Sequence, residues 1–86
     1  MRKRTETRLV DRMITAYVEW REACRLVHDA YRSWARASGP RARVAFLRYT
    51  AALDAEERAA EVYASLVGRV GHLATSDGDL SGPLAA

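Results

Sequence analysis

Apolar residues recur every seven positions with a regularity that leaves few folds open. Val10, Tyr17, Cys24 and Tyr31 are spaced by seven, and Met13, Trp20, Val27 and Trp34 repeat that spacing three residues later. Seven residues make nearly two helical turns, so both sets lie on one side of a helix and form a continuous seam. A strand needs a period of two, which this segment lacks. Ala16, Ala23, Ala30 and Ala37 flank the seam in every heptad. Side chains that small let a neighbouring helix come close, so the alanines read as a second contact strip. Charged residues, among them Asp11, Arg12, Glu19, Glu22, Arg25, Asp29, Arg32 and Arg36, take the remaining face. The spacing predicts a helix over residues 5–37.

The pattern stops at Ser38-Gly39-Pro40. Glycine takes the left-handed conformation that closes a helix, and proline suits the first turn of the next one while disfavouring helical geometry just before it. A corner over residues 38–40 makes the two helices antiparallel neighbours. The second helix is predicted over residues 40–73. Phe46, Leu53, Ala60 and Val67, with Tyr49, Glu56, Tyr63 and Val70, continue the heptads, and Ala45, Ala52, Ala55, Ala59, Val62 and Leu66 form a further apolar stripe. From Thr75 onward Ser, Asp, Gly and Pro dominate, so residues 1–74 are read as the hairpin and 75–86 as a flexible tail. With this corner, residue i of the first helix lies about level with residue 79 minus i.

The expected fold is therefore all-α: a coiled-coil-like antiparallel two-helix hairpin. At 86 residues there is room for one small domain. Two helices cannot enclose the apolar surface described above, and with a single cysteine, Cys24, no intrachain disulfide compensates. The simplest remedy is a homodimer that closes a four-helix bundle, or a partner that supplies the missing helices. The interface is expected among Tyr17, Trp20, Tyr31, Trp34, Phe46, Tyr49 and Tyr63, some of which must fill the seam within the hairpin.

The same residues bound the function. Apolar residues make up 49% of the chain and charged ones 29%, too apolar for a disordered chain. No apolar run is long enough to span a bilayer, and the basic Met1-Arg2-Lys3-Arg4 start leads into a charged periodic segment rather than a greasy signal core. With one cysteine, a reducing, cytoplasmic setting is expected. Cys24 and His28 share a helix face, with Glu56 nearly level across the hairpin. These are metal-ligating residue types, but their spacing is unspecific, and a core cysteine with a rim histidine is the preferred reading. Neither His28 nor His72 has a glutamate three residues before it; Arg25 and Arg69 stand there, so the Glu-x-x-His step of di-iron bundles is missing. No metal and no cofactor is expected. Glu56 on an apolar seam reads as a register-setting charge, with Arg21 and Arg25 level with it as partners. No nucleophile–base set or phosphate-cradling glycine loop is present, and an enzyme is not expected.

Net charge is +3, and thirteen of the fourteen basic residues are Arg, unevenly placed. The corner end, residues 29–53, carries five arginines against one aspartate, whereas the middle of the rod is acidic. Arg36, Arg41 and Arg43 at the corner are candidate phosphate contacts, so a small nucleic-acid-binding regulator is the alternative to an assembly module. In outline the chain resembles the small secreted helical hairpins whose turn carries Trp-x-Gly. Here Trp34 is followed by Ala35-Arg36, and none of Tyr17, Tyr31, Tyr49 and Tyr63 has an acidic residue four positions on. The likeness is one of architecture and implies no function.

Overall fold

The computed structural model describes residues 2–78, with side chains described for residues 4–75. Two helices make it up: α1, Arg2–Arg36, and α2, Pro40–Gly78. At a rise of 1.5 Å per residue they are about 52 and about 58 Å long, and they pack against each other as an antiparallel hairpin. The described residues contain no strand.

The corner is built as its residues require. Gly39 has φ of 61°, where a Cβ is strained and glycine is not. The Ala37 N–H donates to the Trp34 carbonyl at 3.1 Å, tightening the end of α1, and the Ala42 N–H donates to the Gly39 carbonyl at 3.1 Å in the first turn of α2. Pro40 opens α2 at a position where its missing N–H is not needed. At the other end α2 continues through residues 75–78, which composition assigned to the tail. Thr75, Ser76 and Asp77 add nothing apolar, yet none of them stops a helix as proline does. The rest of the expected tail, residues 79–86, lies outside the described residues.

The inward rows differ from the expected pair. On α1 the residues turned towards α2 are Met13, Trp20, Val27 and Trp34 together with Leu9, Ala16, Ala23 and Ala30, and Ala37 just beyond its end continues the row. On α2 they are Ala45, Ala52, Ala59, Leu66 and Leu73 with Ala42, Tyr49, Glu56, Tyr63 and Val70. The alanine strip is thus part of the seam inside the hairpin rather than a second contact strip. The row of Val10, Tyr17, Tyr31, Phe46, Leu53 and Val67 stays exposed. Both choices satisfy a heptad, since each pairs rows three and four residues apart. Each helix turns inward one row made mostly of alanine, which lets the axes approach and leaves room for Trp20, Trp34, Tyr49 and Tyr63 of the other row.

Very little is enclosed. Among the described residues only Leu9, Ala16 and Leu66 are buried, at 6%, 5% and 4% exposure. Met13, Tyr63, Val70 and Leu73 pack around them near the open end of the hairpin. The molecule measures 65 × 30 × 13 Å with a radius of gyration of 19.4 Å. A compact domain of this length would have a radius of gyration of about 12 Å. The hairpin is a slab one helix thick, with two broad faces.

Candidate functional site

The two faces of the slab differ in chemistry. One carries the outward row: Val10, Tyr17, Cys24 and Tyr31 from α1, and Phe46, Leu53, Ala60 and Val67 from α2. Tyr17, Tyr31 and Phe46 are 43%, 49% and 42% exposed. Each follows or precedes an inward aromatic by three residues, so it lies on the rim of the seam and reaches over it.

Those rings form two clusters with the same design. Trp20 stacks on Tyr63 with centroids 5.5 Å apart and planes at 12°, and Tyr17 meets both, at 6.1 and 5.4 Å. Fourteen residues along α1, Trp34 stacks on Tyr49 at 5.5 Å and 15°, and Tyr31 meets both, at 6.1 and 5.7 Å. Phe46 adds a fourth ring, 5.0 Å from Trp34. Offset-stacked and edge-on pairs of this kind each add about 0.5–1.5 kcal/mol beyond burial. The pairs Tyr17–Tyr63, Tyr31–Tyr49 and Trp34–Phe46 set residue i of α1 level with residue 80 minus i, one position from the sequence expectation. Of the seven residues singled out in the sequence, Trp20, Trp34, Tyr49 and Tyr63 are half-buried in the seam, while Tyr17, Tyr31 and Phe46 are exposed.

Glu56 is the polar member of the seam, and its partner differs from the one expected. The Trp20 indole N–H donates to its carboxylate at 2.8 Å. Arg25 is instead held by Glu22 one turn before it: the guanidinium Nε donates to Glu22 Oε2 at 3.1 Å, and its terminal nitrogen to the other oxygen. For Arg25, a carboxylate three residues back along the same helix is a nearer partner than one across the slab. The hydrogen bond from Arg25, with its positive charge, lowers the Glu22 pKa, and Glu22 raises that of Arg25. Both are solvent-exposed, so the pair adds little to stability.

Cys24 is half-buried and His28 exposed. They line a shallow concavity of about 600 Å³ with Tyr17, Arg21 and Arg25, while Glu56 is engaged by Trp20. The structure therefore does not gather Cys24, His28 and Glu56 around one point, and among the described residues no three His, Cys, Asp or Glu side chains cluster to hold a metal ion.

The opposite face is floored by alanines. At the corner a groove of about 470 Å³ runs between the helices, lined by Ala30, Ala37, Ala45, Val44, Arg41 and Arg48. The three candidate phosphate contacts do not converge. Arg41 flanks this groove, Arg43 lies three residues before Phe46 and so towards the aromatic face, and Arg36 sits on the outer edge of α1. Among the described residues no helix is long and apolar enough to cross a membrane. Comparisons with protein-family models, with curated proteins and with solved structures find no match to this chain.

Proposed function

We propose that this chain is a non-enzymatic assembly module whose aromatic face seats a second copy, two hairpins closing a four-helix bundle. The observation that carries the reading is the row of large apolar side chains, from Val10 to Val67, left exposed along one face of a slab with almost no interior. The accessible surface is 6947 Å², where a compact monomer of 9.6 kDa exposes about 5,100 Å². The excess exceeds the roughly 800 Å² that each partner contributes to a standard interface. Covering such a patch is a strong driving force in water. Of the carboxylates near the seam, Glu56 bonds the Trp20 indole and Glu22 holds Arg25.

The test is mass in solution across a dilution series, by sedimentation equilibrium or light scattering. The expected result is twice the chain mass at micromolar concentration, dissociating on dilution. A single chain at every concentration, folded and soluble, overturns the proposal. Arg41 and Arg48 beside the groove support a weaker second reading, in which the corner contacts nucleic acid phosphates. Salt-dependent retention on duplex DNA, lost on replacing Arg41 and Arg43 together with alanine, is the result that would favour it.

A further inference from the structure

The aromatic face is bordered by two long edges of opposite charge, and this decides how a second copy would sit. Along α1 the residues next to the row of Tyr17, Cys24 and Tyr31 are Arg21, Arg25, His28 and Arg32, all exposed. Three of them, Arg21, Arg25 and His28, share a concavity with Tyr17 and Cys24, which fixes their side of the slab. Glu22 lines it too and already holds Arg25, so among the described residues Arg21, His28 and Arg32 carry the unpaired basic character of this edge. Along α2 the residue next to Leu53 and Ala60 is Glu57, four and three positions away, and Asp54 and Glu61 stand beside Glu57 on the outer side of that edge, all exposed. With residue i of α1 level with residue 80 minus i of α2, the three acids lie level with residues 19–26 of α1. They span the same stretch of the rod as Arg21 and Arg25.

Two hairpins can meet face to face about a two-fold axis in two ways. If the axis runs along the rods, the corners lie at the same end and α1 of one copy covers α2 of the other. If the axis crosses the rods, the corners lie at opposite ends and each helix covers its own copy. Resting on the self-association proposed above, we infer that the dimer is of the first kind, with corners aligned. In it the basic edge of α1 faces the partner's acidic edge twice, once on each side. In the opposed form arginines face arginines and carboxylates face carboxylates, an arrangement that costs affinity and is disfavoured even where its apolar contacts match. The apolar rows also fit the aligned form. Val10, Tyr17, Cys24 and Tyr31 alternate in level with the partner's row, because Val67, Ala60, Leu53 and Phe46 lie level with residues 13, 20, 27 and 34. Each side chain meets a gap. Of the five corner arginines, Arg32 and Arg43 lie towards the meeting face and oppose this orientation, while Arg41 and Arg48 border the far face and Arg36 the outer edge, so much of the corner charge is turned away from the partner.

Two measurements on the full chain test the orientation separately from the existence of the dimer. In the first, a spin label is placed at the corner as Ser38→Cys in a Cys24→Ser background. Aligned corners put the two labels within about 30 Å, whereas opposed rods of this length separate them by about 50 Å or more. In the second, Arg21→Glu and Glu57→Arg are each expected to raise the dimer Kd by about tenfold, two symmetry-related pairs being reversed at once. The double swap is expected to return it to within about threefold of the parent. A dimer with distant corners, or a swap that fails to rescue, overturns the aligned orientation and leaves self-association standing. A chain that stays monomeric overturns the underlying proposal instead.

Discussion

The Trp20 N–H and the Glu56 carboxylate are each other's answer to a shared problem. An indole on a half-buried seam needs an acceptor, and a carboxylate there needs a donor. Glu56 lies one heptad before Tyr63, on which Trp20 stacks, so one side chain receives its ring and the other its N–H. The second cluster has Ala42 at the corresponding place, one heptad before Tyr49, so the two otherwise similar clusters differ in polarity. The expected consequence is strong coupling. Trp20→Phe and Glu56→Leu should each cost about 1–2 kcal/mol, because each strands a partner, while the double replacement should cost clearly less than the sum. Urea unfolding of the four proteins in the cycle, at fixed chain concentration, checks this. Additive losses would mean that the bond contributes nothing.

At the scale of the helix, glycines separate conformational need from mere occurrence. Gly39 has φ of 61°, and no atom lies within 4 Å of where a Cβ would stand, so Gly39→Ala should cost about 1–2 kcal/mol through backbone strain alone. Gly68 and Gly71 lie inside α2 with ordinary helical backbone and the same open surroundings. Gly68→Ala and Gly71→Ala should each add about 0.5–1 kcal/mol, since alanine loses less freedom on becoming helical. Thermal unfolding followed by circular dichroism should therefore move in opposite directions for position 39 and for positions 68 and 71.

The whole molecule is defined by what it leaves uncovered. Replacing Tyr17, Tyr31 and Phe46 together with serine removes the most prominent rings of the exposed face but leaves the stacked pairs Trp20–Tyr63 and Trp34–Tyr49 in the seam. The hairpin should stay helical while the dimer dissociates at concentrations at least a hundredfold higher than for the parent, as expected when several large apolar anchors are lost. Sedimentation read beside far-UV circular dichroism checks both halves. If assembly and helicity fall together, the hairpin depends on its partner to fold at all, as obligate dimers do.

Two helices and a corner were legible in the chain itself, because heptad spacing and a Gly-Pro break act locally and leave the backbone little choice. So was the near-level pairing of Trp34 with Phe46 and of Tyr17 with Tyr63, which follows from where the chain turns. The identity of the inward rows was not legible. Val10, Tyr17, Cys24 and Tyr31 satisfy a heptad as well as Ala16, Ala23, Ala30 and Ala37 do, and periodicity cannot rank two rows that differ only in phase. Nor could the partner of Glu56 be read, since arginines on the same level are as near in sequence terms as an indole. Only the packed pair of helices decides these points: small side chains in one row of each helix let the axes approach around Trp20, Trp34, Tyr49 and Tyr63, while Tyr17, Tyr31 and Phe46 are left exposed on one face, and an inward carboxylate bonds to whichever donor that close approach brings within reach.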